Sequence, residues 1–412
     1  MIIDEFIAKI EGHGALDIDW ANKKARLRIL EGERLFEGIL VNRPAEEAPW
    51  ITSRICGVCP IAHNLASVKA AEAALGIVPN KTTILLRKLM MASQIIQSHV
   101  LHAFFLASPD YLGIDSGIEL AKKNPEIFKT AINLKGIGDE ISLAVAGRSV
   151  LPTTTTIGGF HKIPAKKTLT ELSGKLEKNL NYAIAAAKIF AKLNYPQYNI
   201  ELEFISQTDK KNYPGYESEI IISSQKDDSA IEDYKNDIQE EVRLDSTAKF
   251  GRYHEKAIMV GALARLATHH DYLDPVCRKY LRATNFNNPF HNNLAQAIEI
   301  LHFYKKAQEI VGILLREKLD PTVAVPSANP PLKGIGAVEA PRGGLYHEIH
   351  LNDKGKITFI NIITPTVQNL PSMEKSAQAI LDQSPKISLA EARKLIEMLI
   401  RAYDPCITCA VH

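Results

Sequence analysis

The chain has 412 residues, 46% of them hydrophobic, enough for a sizeable core in one large domain or two to three ordinary ones. A net charge of +2 with 23% charged residues, and Lys and Arg spread rather than blocked, argues against a nucleic-acid partner. Five cysteines in a chain this long make no disulfide framework, which fits a reducing compartment better than a secreted one.

The N-terminal stretch MIIDEFIAKIEGHG carries early acidic residues and lacks the apolar run of a signal peptide. No apolar stretch reaches the roughly 18 to 20 residues of a membrane span, because SHVLHAFFLA is interrupted by two histidines. Residues 14–30 alternate with period two around Trp20-Ala-Asn-Lys-Lys24, which predicts an antiparallel hairpin. Apolar spacing of three and four predicts long helices at 61–75 and 81–106, parted by Pro79-Asn80. Further helices are predicted at about 125–146, 166–193, 255–270, 292–317 and 388–402, with β-like runs at 200–205, 217–222, 345–351 and 356–363. The acidic tract from Asp227 to Glu241 predicts a surface insertion over about 207–245, and Val325 to Pro331 a Pro-rich irregular link. The expected fold is mainly α (α+β), a single domain over 1–412 with a long-helix bundle core and small peripheral β-hairpins.

Cys56-Gly-Val-Cys59 and Cys406-Ile-Thr-Cys409 lie at opposite ends of the chain and use four of the five cysteines. Thiolates spaced this way grip a soft metal ion, so the two pairs define a candidate four-sulfur site. Pro60 stands where a helix can begin, and a helix N-terminus with Arg54 nearby favours thiolate over thiol. A structural zinc site is the plain alternative. Zinc ribbons, however, keep their two pairs within about 15 to 20 residues, whereas most of this chain separates these two. Cys277 matches no motif and reads as a packing residue.

The segments Arg54-Ile-Cys-Gly-Val-Cys-Pro-Ile-Ala-His63 and Asp404-Pro-Cys-Ile-Thr-Cys-Ala-Val-His412 resemble the two signatures of the nickel–iron hydrogenase large subunit. Ile10-Glu-Gly-His13, Arg34-Leu-Phe-Glu37, Gln97-Ser-His-Val-Leu-His102, Glu339-Ala-Pro-Arg-Gly343 and Ile363-Thr-Pro-Thr366 fall in the family's order, so the resemblance spans the chain. It implies that Cys56, Cys59, Cys406 and Cys409 bind nickel, with Cys59 and Cys409 bridging to an iron that carries cyanide and carbon monoxide. It further implies that Cys406 takes the proton when H2 splits and that Glu11 relays it toward solvent. Arg342 would stand over the open metal position with Asp110 pairing to it. Pro365 and Thr366 would line the diatomic ligands, Asp404 would brace the second cysteine pair, and His63 would hydrogen-bond a bridging sulfur. For His99 and His102 a core role is at least as apt. Glu37, the Ile362 carbonyl and His412 would hold a magnesium or iron near the C-terminus.

The same resemblance implies partners. No cysteines remain to hold iron–sulfur clusters, so electrons would leave to an iron–sulfur small subunit. The Arg-Leu-Phe-Glu spelling, the modest length and the Asn288–Gln296 stretch look closest to cytoplasmic, reversible, NAD(P)-linked members, which work with flavin and iron–sulfur subunits. An end at His412 looks like the form left after a maturation protease acts on the nickel-loaded chain, or a gene without the extension; nickel-insertion factors are implied too. One departure is Leu151, where many relatives carry histidine. The alternatives are a subunit of an energy-converting, membrane-associated hydrogenase, or a non-catalytic, zinc-stapled structural subunit.

Overall fold

The computed structural model describes residues 2–225 and 228–412, so Asp227 of the acidic tract lies outside the described residues. The chain opens with an antiparallel sheet, β1 (Ile2–Phe6), β2 (Gly14–Asp19) and β3 (Lys24–Ile29), in which β2 and β3 form the expected hairpin. Leu16, Ile18, Leu27 and Ile29 face inward, as period-two alternation requires.

Eight helices carry most of the core: α1 (Pro60–Leu75), α2 (Lys81–Val100), α3 (Pro125–Ala146), α4 (Lys166–Phe190), α5 (Ala262–His269), α6 (Asn292–Arg316), α7 (Pro365–Gln383) and α8 (Leu389–Ala402). Local chemistry marks their starts. Pro60 occupies the first turn of α1, the Asn80 side chain accepts the Thr83 N–H of α2 at 2.8 Å, and Ser388 with Glu391 forms a capping box on α8. α2 runs on into a π-helical turn, Leu101–Ala107. The helical stretch Lys81–Leu112 is long and apolar enough by composition to cross a membrane, yet 83% of its most apolar window is buried inside the protein. It is a central core helix, buried on nearly all sides because neighbours surround it.

Three stretches differ from expectation for identifiable reasons. The helix predicted at 255–270 begins only at Ala262, because Gly261 has φ +107° and Ile258–Met259 (β7 below) is already a strand. α7 was not anticipated, since Pro371 in its interior reads as a breaker; burial of Val367, Leu370, Met373, Ala377 and Ile380 offsets the lost hydrogen bond. The segment 207–245, expected as a surface insertion, is tied into the body of the protein by pairing and packing. It contributes to a sheet of order β7 (Ile258–Met259), β4 (Glu203–Thr208), β5 (Ile220–Ser223), β6 (Asp228–Ala230). Ile221, Ile231, Tyr234 and Ile238 there close a small second core with Val260 and Tyr346; short elements spread these residues too irregularly to show a period.

The sheet that matters for function is β8 (Lys333–Ala340), β9 (Gly343–Leu351) and β10 (Ile357–Ile363), antiparallel in that order. It is buried rather than peripheral, and β8 lies directly on α1. A Cβ at Gly334 or Gly336 would overlap backbone atoms of Ala70 or Ala66, so glycine on the strand and alanine on the helix permit the close approach. This contact ties the first cysteine pair, at the head of α1, to the β8–β9 turn that carries Arg342. The larger core runs continuously from Ile7 to Val411.

Candidate metal centre

The two ends of the chain meet. Cys59 precedes Pro60 at the start of α1, and Cys406 precedes a short helix, Ile407–Ala410. The path to Cys406 is set by Asp404, which ends the α8 region with a left-handed φ of 55°, and by Pro405, which cannot continue a helix. Cys56 Sγ lies 3.3 Å from Cys406 Sγ, Cys59 Sγ 3.4 Å from Cys409 Sγ, and Cys406 Sγ 2.8 Å from Cys409 Sγ. All four sulfurs fall within 4.8 Å of one another, all four residues are buried, and none is in a disulfide.

Such a cluster is chemically incomplete without a cation. Burial pushes the Cys406 and Cys409 thiols well up, whereas hydrogen bonds from Cys406, Cys409 and Cys59 hold Cys56 well below the ordinary thiol value. Buried thiols at this spacing give up their protons together only to a soft ion between them, and an all-sulfur donor set suits nickel, iron or zinc.

Two side chains fasten the cysteine loops. Arg34 donates to the carbonyls of Ile55, at 2.6 Å, and Thr408, thereby clamping one loop to the other. Gln94 of α2 donates to the Val58 carbonyl at 2.7 Å and accepts the Ile61 N–H at 2.9 Å. Arg34 falls within a motif read from the sequence; a lone Gln in a long helix gives no such signal.

Glu11 forms a bridge with Cys406 in which its carbonyl accepts the Ile407 N–H at 2.9 Å. Its carboxylate Oε2 lies 3.1 Å from Cys406 Sγ and accepts the Thr408 N–H at 3.1 Å. Arg342 is 5% exposed and lines a small enclosed cavity with Cys59, Cys406, Cys409, Pro365 and Thr366. Burial alone would lower its pKa, but Asp404 and the cysteine sulfurs raise it well above the ordinary value, so it stays cationic.

The expected partner of Arg342 needs correction. Asp110 instead accepts from Lys9 Nζ and Arg401 Nε, each at 2.6 Å. Arg342 is held by Asp404, through Nη2 to Oδ1 and Nε to the carbonyl, both 2.8 Å, and by Ser98 Oγ at 3.2 Å. Asp404 in turn accepts from Gln296 at 2.9 Å. Asp110, just past the π-helical turn, therefore faces Arg401 rather than Arg342.

Thr366 Oγ1 accepts the Cys406 N–H at 3.0 Å, and Pro365 opens α7 beside it. His63 Nε2 lies 3.7 Å from Cys409 Sγ, and its Nδ1 is 3.3 Å from His347 Nε2, whose other nitrogen meets Ser67 Oγ at 2.8 Å. Burial drops His63 to about 3, so the ring is neutral. His347 carried no signal in the sequence. His99 and His102 are core residues, hydrogen-bonded to Glu299 at 2.7 Å and to Gln296 and the Arg401 carbonyl at 2.6 and 2.7 Å. Cys277 is buried and packed in the core. Glu37, Ile362 and His412 also converge: Glu37 Oε1 accepts the Ile362 N–H at 2.7 Å, and His412 Nε2 lies 3.0 Å from the Ile362 carbonyl oxygen.

A long-helix α+β fold that joins its two ends around four buried thiols, an arginine and a carboxylate defines a protein built around a soft-metal centre. The family model for nickel-dependent hydrogenase matches residues 34–140 and 170–412. The alpha subunit of sulfhydrogenase 1 from Pyrococcus furiosus is 32% identical over 99% of this chain and 97% of its own length. The alpha subunit of sulfhydrogenase 2 from the same organism is 32% identical over 100% of this chain and 98% of its own. The crystal structure of an NAD+-reducing [NiFe]-hydrogenase in the H2-reduced state superposes with a TM-score of 0.89 at 27% identity, covering 100% of this chain and 99% of that one. A [NiFeSe]-hydrogenase from Dm. baculatum shares the fold, with a TM-score of 0.81 at 22% identity over the full length of both chains. The chain belongs to the nickel-dependent hydrogenase family, as its large, catalytic subunit, an oxidoreductase acting on H2.

Proposed function

We propose that this subunit splits H2 reversibly and heterolytically at a nickel–iron centre held by Cys56, Cys59, Cys406 and Cys409, with Cys59 and Cys409 shared with an iron that carries cyanide and carbon monoxide. The reading rests on Cys406 Sγ lying 3.1 Å from Glu11 Oε2 within the buried four-sulfur cluster. The bound metal pair supplies the Lewis acidity toward H2. Cys406 accepts the proton, and Glu11, hydrogen-bonded to it, takes that proton toward solvent. Arg342 keeps positive charge above the sulfurs, and Thr366 and Pro365 shape the wall that the diatomic ligands would meet. Glu37, the Ile362 carbonyl and His412 are the candidate ligands of magnesium or iron.

Electrons leave to an iron–sulfur small subunit, because the four paired cysteines are committed to the cluster. The full-length likeness to an NAD+-reducing hydrogenase and to the beta subunit of the NAD-reducing hydrogenase HoxS of Cupriavidus necator, 28% identical over 100% of this chain, supports an NAD(P)-linked enzyme; flavin and iron–sulfur partners and a cytoplasmic location belong to the same proposal. A maturation protease and nickel-insertion factors complete the expected set. The test is infrared spectroscopy of the purified complex in the carbon monoxide and cyanide stretching region, with metal analysis. Bands and one nickel per chain are expected; no bands and one zinc per chain would overturn the reading in favour of a zinc-stapled structural subunit.

A further inference from the structure

The turn that carries Arg342 is held from behind by a second arginine. Arg265, in α5, is fully buried and makes five guanidinium hydrogen bonds, one for each N–H it has. Nε and Nη2 donate to the two oxygens of Glu299 at 2.7 and 2.6 Å. Nη1 donates to Glu339 Oε2 at 2.8 Å and to the Ala340 carbonyl at 2.9 Å, and Nη2 reaches the Pro341 carbonyl at 2.9 Å. The last two acceptors belong to the two residues immediately before Arg342.

The groups that fix Arg265 are themselves fixed. Glu299, on α6, accepts Tyr213 Oη at 2.6 Å and lies 2.7 Å from His99 Nε2. Glu339 accepts the Gln207 N–H at 2.7 Å. From the other side the turn rests on Gly261, at the head of α5, where a Cβ would stand 2.9 Å from the Arg342 carbonyl oxygen. One end of α5 therefore presses on the Arg342 backbone while a side chain one turn later grips the carbonyls before it. A lysine could supply the charge but not the planar fork that meets two carbonyls and two carboxylates together.

We propose that Arg265 is a positioning residue for Arg342: its fork locks the Ala340 and Pro341 carbonyls and so sets where the Arg342 guanidinium stands above the cysteine cluster. Arg265 does not line the cavity over the sulfurs, so its effect passes through the Arg342 backbone. The consequence for catalysis rests on the proposed nickel–iron reading; the placement of Arg342 does not.

The experiment is Arg265→Lys in the purified holoenzyme complex, with a crystal structure, infrared spectra and H2 oxidation rates, alone and combined with Arg342→Lys. The structure should show the Arg342 guanidinium outside hydrogen-bonding distance of Asp404 or Ser98. The carbon monoxide and cyanide bands should persist at shifted positions, and kcat should fall roughly 10- to 100-fold. In the Arg342→Lys background the same substitution should change the rate less than about twofold, because both act through one group. An unmoved Arg342, or rate losses that multiply in the double variant as a merely structural role would give, overturns the proposal. If Arg265→Lys does not fold, Gly261→Ala disturbs the same turn from its other face, and an unmoved Arg342 there overturns it equally. Wild-type enzyme without infrared bands would defeat the nickel–iron reading while leaving the crystallographic arm decisive for Arg265.

Discussion

Cys406 and Glu11 are 395 residues apart in the chain, yet the sulfur of one lies 3.1 Å from the carboxylate of the other. The two residues after Cys406 hold the contact: the Glu11 carbonyl takes the Ile407 N–H, and its carboxylate takes the Thr408 N–H. Glu11→Gln keeps the shape and removes the base. Hydrogen/deuterium exchange should fall on the order of 10²- to 10⁴-fold with the infrared bands unchanged; undiminished exchange would remove Glu11 from the proton path.

Arg342 is anchored through three donors, to Asp404 twice and to Ser98. Arg342→Lys preserves charge but cannot reproduce that geometry. Activity should drop roughly 10²- to 10³-fold with nickel content unchanged. Asp110→Asn should leave the rate within a few-fold, because that carboxylate serves Lys9 and Arg401 instead; a loss as large as that of Arg342→Lys would reinstate the pairing expected from sequence.

Metal should hold down the C-terminal segment. With Cys406 and Cys409 buried against Cys56 and Cys59, protein produced without nickel should be less stable by several kcal/mol. Residues 404–412 should then lose protection in hydrogen-exchange mass spectrometry before α1 and α2 do. Equal protection with and without metal would mean that packing alone fixes the tail.

The α1–β8 contact leaves no room at Gly336, where an added Cβ would overlap the backbone of Ala66. Gly336→Ala should therefore cost about 1–3 kcal/mol or more, read by thermal or chemical denaturation. Because the same contact joins the first cysteine pair to the Arg342 turn, activity should fall along with stability.

Acid sensitivity should come in part from His302. The ring is buried and its Nδ1 accepts the Asp274 N–H at 3.0 Å, a role open only to neutral imidazole. Burial lowers it from 6.5 to about 3. A depressed histidine means that the unfolded chain binds the proton more readily, so its contribution is whole above about pH 6.5 and is lost as pH falls toward 3, on the order of a few kcal/mol in all. His302→Gln should flatten the stability–pH curve in that window; an unchanged slope would exclude it.

The hairpin at 14–30 was legible from its period-two alternation, and the helices at 61–75, 125–146 and 292–317 from long runs of strong helix formers with apolar residues three and four apart. α7 was hidden by Pro371, whose local cost is outweighed by burial that no single-sequence pattern displays. Residues 207–245 looked like surface because their polar count is high, although Tyr234 and Ile238 pack into a core. At the site, the four cysteines, Glu11 and Arg342 were named from the sequence and the fold brings them together, as it does Glu37, Ile362 and His412. Gln94, His347 and Arg265 were not named, since a polar side chain in the middle of a helix or strand carries no signal until its partner is known; Ser98 stood inside a quoted motif, but its bond to Arg342 was visible only in the fold.

The sequence alone determined the chemistry: two Cys-x-x-Cys pairs with their flanking residues name a soft-metal centre and its family, because ligand type and local spacing are properties of short segments. Tertiary structure alone decided which charges meet. Asp404 rather than Asp110 neutralises Arg342, and Arg265 grips the turn before it, because these hydrogen bonds join residues 62 to 76 positions apart whose approach only the packed fold sets. Burial then makes those pairings hold, since a charged group removed from water must keep the partner it has.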